Sequence, residues 1–508
     1  MNHPLLQKAS IVFSPTAYGT STLNSIKPAQ SFGSELVTNG NFATDSNWTK
    51  GTGWTISGGV ASCDGTQSST STFRTTVGIS GISNKKVKLS FDIKNYQAGS
   101  LTVTLEGTGG NEFTGLNSNG VYEIETTSTD SLPKLLFNAD SSFIGSVDNA
   151  SIKLVTDADF DFTRNTTATR VNESGLIETV AANIPRIDYL SGVGAYLNEP
   201  QSTNLITYSN DFSNAAWTKQ SGISATYNTT ETLSPEGLNN ASKFTGNGTN
   251  GIYIQFIVTG IVARSIYLKS VTGNVSVTIK DPVLTVTTKT LNLNETWQRF
   301  ELIESNGHGS ASGIWIDDIP ASGIYIYGAQ LEEATYATSY IPTSGATVTR
   351  NKDLATNAGN TDLINSPEGV LYINAAGLNR TFSATRRISL SDGTTDNEVR
   401  FDFTDTEDRV TLRVRVGSSN VATKTITGTY NISQFHKYAI QWKLNDFKFY
   451  IDGVEVATDT SGATYSANTL DRLNIATGSA SQPLEANIKC IAVFKEILTD
   501  AELVTLTS

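Results

Sequence analysis

Two pairs of adjacent carboxylates are the residues of this sequence best suited to acid–base chemistry: Asp317–Asp318 and Glu332–Glu333. Glycoside hydrolysis, a reaction that such acids perform, needs two carboxyl groups at a defined separation around one bond. Neighbouring residues of a strand point to opposite faces of a sheet, so neither pair can face one substrate. We therefore predict that the protein is not an enzyme and has no catalytic residues.

Nucleophiles and thiolates offer no stronger candidate. The histidines are His3, His308 and His436, and none lies near the Gly-x-Ser-x-Gly motif that presents a nucleophilic serine. Cys63 and Cys490 are the only cysteines and fall in different predicted domains, so neither a disulfide nor a site with several thiolates is expected. We interpret the histidines as surface residues and the cysteines as free buried thiols.

Three aspartates, Asp157, Asp159 and Asp161, alternate with apolar residues and should share one face of a strand. Carboxylate oxygens can bind calcium in such an arrangement, but the spacing lacks the glycine and the later glutamate of an EF-hand loop. A solvated acidic face is the favoured interpretation. We predict no cofactor; metal ligands stay unknown, and a structural calcium ion is left as an open alternative.

Aromatic side chains are the more promising binding groups. The apolar C–H faces of sugar rings stack on tryptophan and tyrosine, while polar neighbours bind the hydroxyl groups. Trp48 and Trp217 occupy matching places in two similar segments and are interpreted as core residues. The predicted carbohydrate-binding residues are Trp54, Tyr96, Tyr253, Tyr267, Trp315 and Tyr325.

Alternating patterns place these candidates on antiparallel sheets. Val87, Leu89, Phe91 and Ile93 alternate with polar residues, as in a half-buried strand, and the same period recurs over 410–416. The composition includes 42 glycines, one methionine and only 17% charged residues, which favours strands and turns over helices. We predict an all-β fold of three antiparallel β-sandwich domains, jelly-roll or concanavalin-like, in a row with a short β connector cassette.

The chain length also requires several domains, because a single core rarely grows beyond ~250 residues and the chain has 508. The turn-rich connector before the last domain predicts that this domain folds alone. The predicted boundaries are 1–33 for an N-terminal docking leader, 34–156 for a first sandwich, 157–203 for a β cassette, 204–334 for a second sandwich, 335–358 for a surface connector and 359–508 for a third sandwich.

Charge and hydropathy exclude two classes of partner. The formal net charge of -12 argues against nucleic-acid binding, which needs clustered lysine and arginine. No stretch approaches the ~20 apolar residues of a membrane span, and the N-terminus lacks the basic and apolar regions of a signal peptide. We expect a protein made in the cytoplasm, with no nucleic-acid partner and no membrane insertion.

The openings of the first two sandwiches carry related sequences. Residues 35–50 read ELVTNGNFATDSNWTK, and residues 204–219 read NLITYSNDFSNAAWTK. Both resemble the jelly-roll carbohydrate-binding modules attached to polysaccharide-degrading enzymes. Members of that class hold a structural calcium ion near this opening, where the present chain offers only Glu35 and Asp45.

The third sandwich has a different signature. Residues 436–456 read HKYAIQWKLNDFKFYIDGVEV, and Thr499 with Glu502 predicts a capping box at the start of a short helix. These features resemble laminin-G or concanavalin-like sandwiches, although the E-x-D-x-x-E motif of their catalytic members is missing. The resemblance implies a lectin-like, non-catalytic domain.

A distinctive series of motifs starts in the cassette: F-x-F-T-R from Phe160, A-T-R-V-N-x-x-G-L-I-E from Ala168, N-I-P-R-I-D-Y from Asn183 and E-P-Q-S-T-N-L-I from Glu199. In this order the motifs resemble a cassette of fibre and spike proteins of tailed bacteriophages. The resemblance implies a head or tail fibre or spike on the virion surface, made in the host cytoplasm without a signal peptide and released by lysis.

The same resemblance implies the partners. They are other virion proteins of the capsid, portal or tail, further copies of this chain in a homo-oligomer such as a trimer, and host surface glycans. Two alternatives stay open: a phage-borne polysaccharide depolymerase and a purely structural capsid decoration protein.

The leader and the cassette are expected to form one β unit that the first sandwich interrupts. In the related proteins a leader of this type runs directly into F-x-F-T-R. Such a unit alone would bury little apolar surface, so we expect it to trimerise or dock on another virion protein. Deletion of residues 1–30 would then leave the C-terminal sandwiches folded. The predicted virion-docking residues are Ile11, Val12, Phe13, Phe160 and Phe162.

Overall fold

The computed structural model describes residues 3–83, 85–258, 260–281, 288–305 and 311–508. Regular structure in these residues is almost entirely antiparallel β-sheet, which confirms the predicted fold class. The chain divides into two compact units: Pro28–Asp157 is one, and Met1–Lys27 with Ala158–Ser508 is the other. The larger unit is therefore interrupted in sequence by the smaller one.

The N-terminal segment begins with a 3-10 helix, Pro4–Lys8, and continues as two strands, β1 (Ile11–Gly19) and β2 (Thr22–Lys27). The two strands form an antiparallel hairpin in which Val12 pairs with Lys27 and Gly19 with Thr22. Ser21 closes the turn with a positive φ of 61°. This hairpin belongs to the larger unit.

The smaller unit is a two-sheet sandwich with its own apolar core. One sheet has the order β10–β9–β12–β7–β4, and the other has the order β11–β8–β13–β6–β5, with β3 added on β13. Ser31 pairs with Thr156, so the two ends of the unit lie side by side, as expected for an insertion. Its strands are β3 (Ser31–Phe32), β4 (Trp48–Thr49), β5 (Trp54–Ser57), β6 (Val60–Asp64), β7 (Ser71–Thr75), β8 (Lys85–Ala98), β9 (Leu101–Leu105), β10 (Phe113–Leu116), β11 (Gly120–Ser128), β12 (Leu135–Ala139) and β13 (Ile144–Thr156).

The cassette consists of short strands that join different sheets. β15 and β16 form an antiparallel hairpin in which Ala168 pairs with Val180. β14 instead pairs with β2 of the N-terminal hairpin, with Phe160 opposite Leu23. The cassette strands are β14 (Phe160–Thr163), β15 (Ala168–Val171), β16 (Ile177–Val180), β17 (Arg186–Asp188), β18 (Ala195–Asn198) and β19 (Ser202–Asn204).

The second sandwich packs the sheet β20–β23–β28–β25–β26 against the sheet β21–β22–β29–β24–β27. Every residue of β29 is buried, so this strand is covered on both faces. Its strands are β20 (Thr218–Lys219), β21 (Ser224–Thr226), β22 (Ser242–Thr245), β23 (Ile252–Ile257), β24 (Ile261–Ser270), β25 (Val275–Lys280), β26 (Thr288–Leu293), β27 (Gln298–Ser305), β28 (Ala311–Asp317) and β29 (Ile324–Glu332).

The third sandwich packs the sheet β36–β35–β34–β33–β40 against a larger sheet. Thr499 and Glu502 form the predicted capping box of its helix. The elements are β30 (Val348–Arg350), β31 (Leu354–Thr356), β32 (Gly369–Gly377), β33 (Arg386–Ser391), β34 (Glu398–Phe403), β35 (Arg409–Val416), β36 (Ser419–Thr427), β37 (His436–Trp442), β38 (Phe447–Ile451), β39 (Val454–Asp459), β40 (Arg472–Asn474), β41 (Ala486–Phe494) and α1 (Asp500–Thr507).

The N-terminal hairpin and β14 belong to that larger sheet, whose order is β31–β14–β2–β1–β41–β32–β37–β38–β39. β1 pairs with β41, placing Ile11 opposite Val493. The Phe13 ring lies 5.6 Å from that of Phe160 and 6.0 Å from that of Tyr196. The leader and the cassette therefore share one β unit, as expected, and β41 completes it within the chain.

The predicted docking role of the apolar residues in this unit is wrong. A docking residue must be exposed in the free chain, whereas these side chains are at most 2% exposed because they fill the core of the larger unit. The incomplete unit that led us to expect a trimer or a virion protein as cover does not exist. The residues concerned are Ile11, Val12, Phe13, Phe160 and Phe162.

Two further predictions need correction, namely that the connector lies on the surface and that the third domain folds alone. Within 335–358, Tyr336, Thr338 and Tyr340 are buried instead of lying on the surface, because this segment covers the outer face of the second sandwich. A fragment 359–508 would lose β1 as the neighbour of β41 and leave a long apolar edge open. The structure thus argues against separate folding of 359–508 and against a folded product after deletion of 1–30.

Phe13→Ala tests the contribution of the leader to this core. We expect the variant to lower the free energy of unfolding by about 3–5 kcal/mol, the usual cost of removing a buried phenylalanine ring. Urea denaturation followed by tryptophan fluorescence measures the change. Val454→Ala is the control, because Val454 in the same unit is 56% exposed and its truncation should cost only about 0.5 kcal/mol. Equal small effects would show that β1 adds nothing to the core.

Candidate functional site

A cavity of about 270 Å³ lies inside the larger unit, where the cassette, the second sandwich and the third sandwich meet. Its walls come from β15 and β16, from the turn after β17, from β24 and β27 and from the segment 336–340. Leu190 in that turn lines the cavity and is 71% exposed, so the cavity opens to solvent there. We call this space the junction cavity.

The floor of the junction cavity is the outer face of a sheet of the second sandwich. On β27, Phe300 and Leu302 pack on the sandwich core, so Arg299 and Glu301 point outward by the strand period of two. On β24, Tyr267 is the register partner of Arg299, and the guanidinium carbon lies 5.6 Å from the centre of the tyrosine ring. Strand alternation thus brings an aromatic ring, a cation and a carboxylate together.

Two further tyrosines line the cavity from the segment 336–340. The Tyr340 ring lies 6.5 Å from the Tyr267 ring in an edge-on arrangement, and its hydroxyl is 2.7 Å from the Ser209 hydroxyl. The Tyr336 hydroxyl donates to Glu485 at 2.8 Å. These hydrogen bonds fix the orientation of the rings, so the cavity has a preformed aromatic wall.

Polar groups of different character face the same space. Arg299 donates from Nη2 to the Ser265 hydroxyl at 2.8 Å and to the Thr338 carbonyl at 2.6 Å. Asp188 accepts the backbone amides of Val171 at 2.7 Å and Leu190 at 3.0 Å, yet burial raises the pKa of its carboxyl. Burial likewise raises the pKa of Glu301, against the opposing effect of Arg299. The cavity can therefore offer hydrogen bonds to a polar ligand while an aromatic ring contacts its apolar face.

A fully buried ion network holds the walls in place. Arg186 donates to Glu199 at 2.7 Å and also pairs with Asp353, to which Arg164 donates at 3.0 Å. Arg350 reaches Glu199 at 2.8 Å. All five side chains are at most 3% exposed. The network links three cassette motifs to β30 and the residues just after it.

This network explains why the cassette motifs contain these charged residues. Arg164 ends F-x-F-T-R, Arg186 is the arginine of N-I-P-R-I-D-Y, and Glu199 begins E-P-Q-S-T-N-L-I. Glu199 also accepts the backbone amide of Ser339 at 2.7 Å, which anchors the segment 336–340 that closes the cavity. Burial alone would raise the pKa of Glu199, but Arg350 and Arg186 outweigh it and lower the pKa to about 2.

Of the six predicted carbohydrate-binding residues, Tyr267 is the one in the junction cavity. Trp54, 4% exposed, stacks on Phe73 at 4.9 Å in the core of the smaller unit, and Tyr325 is 5% exposed. A sugar cannot stack on rings buried to this degree, so the prediction is wrong for these two residues. Trp48 and Trp217 are core residues, as predicted.

The other three candidates are half-buried and lie elsewhere. Tyr96 donates from its hydroxyl to the Gly99 carbonyl at 2.9 Å. Tyr253 and Trp315 are register partners on one sheet with rings 5.2 Å apart, and the Lys280 ammonium lies 3.9 Å from the centre of the Trp315 ring. The structure brings this pair together but away from the junction cavity. Their predicted role stays a prediction.

Sequence reasoning missed Arg299, Glu301 and Asn487. Arg299 and Glu301 are two positions apart, so strand alternation puts them on one face, but the sequence does not show what covers that face. Asn487 reaches the cavity from β41, almost two hundred positions away in sequence. No local pattern signals such a contact.

The polar face of the sheet β36–β35–β34–β33–β40 is a second surface with charged residues. Arg400 pairs with Glu398 at 3.2 Å and with Asp402 at 3.0 Å, and Arg387 reaches Asp402 at 3.1 Å. Glu398, Arg400 and Asp402 are at most 4% exposed. These ion pairs fill the centre of the face, so a ligand has less access there than in the junction cavity.

Within the part of the chain that the structure describes, no group of three or more histidine, cysteine or acidic residues is arranged to hold a metal ion. Asp159 accepts the amide of Ser25 at 2.6 Å and Asp161 the side-chain amide of Asn357 at 2.9 Å, so both tie the cassette to its neighbours instead of forming a free acidic face. Asp157 pairs with Lys86 at 3.0 Å.

The remaining sequence predictions concern histidines, cysteines and membrane spans. Cys63 and Cys490 are free and buried, as predicted. His436 lies 2.5 Å from Asp452, His3 bonds the Thr505 carbonyl, and His308 lies outside the described residues. Among the described residues, no helix is long and apolar enough to cross a membrane.

The third sandwich is similar to a known protein family. Residues 371–504 match a laminin-G family model described as the Concanavalin A-like lectin/glucanases superfamily, in agreement with the resemblance of the 436–456 sequence. No curated protein sequence matches the chain.

Some of the solved structures that are similar to this chain are carbohydrate-binding modules. The chain is similar to the CBM40 of Ruminococcus gnavus IT-sialidase bound to alpha2,3 sialyllactose, with 16% identity over 30% of this chain and 94% of that chain and a TM-score of 0.25. It is similar to the CBM22-1 xylan-binding domain of Paenibacillus barcinonensis Xyn10C, with 14% identity, 28% and 99% coverage and a TM-score of 0.22. It is also similar to Bacillus licheniformis beta-glucanase, with 16% identity over 29% of this chain and 73% of that chain and a TM-score of 0.22.

Glu199→Gln tests the ion network. A folded pKa of about 2, against the ordinary value of 4.5, means that ionised Glu199 stabilises the fold above pH 4.5 and that this contribution is lost as the pH falls towards 2. At neutral pH the variant should lose about 3–5 kcal/mol, because two arginines lose a buried partner. It should also show a smaller loss of stability between pH 4.5 and 2 in urea denaturation.

The exposed Glu496 provides the control, since Glu496→Gln removes a carboxylate from the same unit without touching the network. This control should unfold like the parent at every pH. A parental pH profile for Glu199→Gln would contradict the assigned role of Glu199.

Proposed function

We propose that this protein is a non-enzymatic fibre or spike on the surface of a tailed-phage virion and that it adheres to host surface glycans through the junction cavity. The observation that carries the glycan step is Tyr267 standing beside Arg299 and Glu301 in a cavity open to solvent. A sugar ring can stack its apolar face on an aromatic side chain while its hydroxyl groups bond to a nearby donor, here Arg299, and a nearby acceptor, here Glu301.

The size of the junction cavity restricts its ligand. Its volume of about 270 Å³ lies just below the ~300–1,000 Å³ of typical ligand pockets. One sugar ring fits such a space, and an extended oligosaccharide does not. The site therefore binds a terminal or side-branch residue of a glycan, with low affinity for each copy and useful strength through several copies on one particle.

The virion assignment rests on the resemblance of the cassette motifs, whose residues form the buried network. The lectin/glucanase family match over 371–504 supports the glycan step. In this proposal the protein is made in the host cytoplasm and reaches the outside on particles released by lysis. Its partners are capsid, portal or tail proteins and further copies of the chain. These contacts involve exposed surfaces, because the N-terminal apolar residues are committed to the core.

One observation favours the depolymerase as a second candidate. Asp188 and Glu301 both line the junction cavity, and two carboxyl groups at one sugar are the minimum for glycoside hydrolysis. Against this function, both oxygens of Asp188 already accept backbone amides. Release of reducing ends from host capsule or lipopolysaccharide by the purified protein would favour the enzyme over the adhesin.

Tyr267→Ala tests the adhesin. Binding of the purified full-length protein to host cells and to immobilised host polysaccharide should weaken at least about fivefold, since loss of a central aromatic contact typically costs more than 1 kcal/mol. Tyr227→Ala is the matched control, because Tyr227 is a half-buried tyrosine of the same sandwich that does not line the cavity. Equal binding by both variants and the parent would reject the junction cavity as the glycan site.

Labelling of phage particles with an antibody against this chain tests the virion assignment separately. We expect labelled particles and a protein that co-purifies with them. Absence of the protein from purified particles, with glycan binding intact, would leave an adhesin that is not a virion component.

A further inference from the structure

The charges at the junction cavity decide which sugars it can accept, and this inference rests on the proposed glycan function. Glu301 is the central group. Its side chain lies on the floor of the cavity beside Arg299. The charges of Arg299 and Lys289 act on its carboxyl group, but no described residue forms a hydrogen bond or a close ion pair with it. A half-buried carboxylate without a hydrogen-bond partner is an acceptor that a ligand can satisfy.

The other charged groups in the wall are already compensated inside the protein. Arg170 pairs with Glu178 at 2.5 Å. Glu199 is neutralised by two buried arginines of the ion network. Both oxygens of Asp188 accept backbone amides. Among the described residues that line the cavity, a bound group therefore meets the carboxyl groups of Glu301 and Asp188 and the guanidinium of Arg299.

We infer that the junction cavity takes a sugar ring without a carboxylate and excludes uronic and other acidic sugars. In this arrangement a hydroxyl group of the ring donates to Glu301, while the apolar face of the ring rests on Tyr267. A carboxylate on the ring cannot donate a hydrogen bond to Glu301, and its like charge repels that carboxylate across a small space.

Matched sugar pairs test this selectivity in the full-length protein. The probes are the methyl glycosides of glucose, galactose and mannose, each paired with its uronic acid, in which a carboxylate replaces the terminal hydroxymethyl group. Ligand-observed NMR at millimolar concentration and competition against immobilised host polysaccharide measure binding. At least one neutral sugar should bind at least about tenfold more tightly than its uronic acid.

Glu301→Gln isolates the charge, because glutamine keeps the shape and one acceptor oxygen. The preference for the neutral sugar should fall severalfold, mainly through better binding of the uronic acid. Glu496→Gln, remote from the cavity and exposed, should keep the parental preference. An unchanged preference in Glu301→Gln would overturn the role of Glu301.

The Tyr267→Ala variant separates failure of this inference from failure of the proposed function. A uronic acid that binds the parent as well as its neutral partner, and that Tyr267→Ala releases, would leave the glycan site standing and overturn the selectivity. No binding of any of the six sugars to the parent would overturn both. Preference for a neutral sugar that Tyr267→Ala does not alter would place the sugar outside the junction cavity and also overturn the inference.

Discussion

The buried ion network of Arg164, Arg186, Arg350, Glu199 and Asp353 is the constraint on which the architecture of the larger unit depends. Each charge removed from water costs several kcal/mol, and only a partner of opposite charge with good geometry compensates that cost. The five groups come from four separate stretches of the chain, and all are at most 3% exposed. These stretches must therefore meet in one arrangement, because any other leaves a buried charge alone.

The network has consequences for the second sandwich. It holds the segment 336–340 through the hydrogen bond of Glu199 with Ser339, and this segment covers the outer face of β24 and β29, which would otherwise be exposed. A sheet covered on both faces loses the simple alternation of apolar and polar residues, and β29 is buried throughout. The junction cavity is the space left where this cover does not fill the face beside Tyr267, Arg299 and Glu301.

The larger sheet shows a second kind of dependence. β41 is the next-to-last element of the chain, yet its neighbour is β1 from the N-terminus, and β18 of the cassette pairs with the same strand. The N-terminal hairpin thus closes a sheet edge that would otherwise be open to other chains. The smaller unit interrupts this arrangement at low cost because its ends, Ser31 and Thr156, are paired with one another.

The sequence by itself determined the fold class and most strand patterns, because period-two alternation and turn residues are local properties. The insertion was expected only from the resemblance of the leader and the cassette to phage proteins. Val87–Ile93 and Val410–Val416 alternate in the structure as they do in the sequence. The sequence also showed that the cassette has a distinctive series of motifs. The role of Arg164, Arg186 and Glu199 as a buried ion network is visible only in the structure, where Asp353 and Arg350 lie beside them. Local pattern carries no information about which distant charge supplies the partner.

The candidate site was largely decided by tertiary structure. Tyr267 was predicted as a sugar-binding residue from its type alone, whereas Trp54 and Tyr325, of equally suitable type, are buried. Whether an aromatic ring faces a core, solvent or a cavity depends on what packs against its sheet, and here that cover comes from segments up to two hundred residues away. The same limit applies to Ile11, Phe13 and Phe160. Their apolar character predicts burial, but only the tertiary structure shows that they are buried within the chain, where β1 pairs with β41, and not against a partner protein.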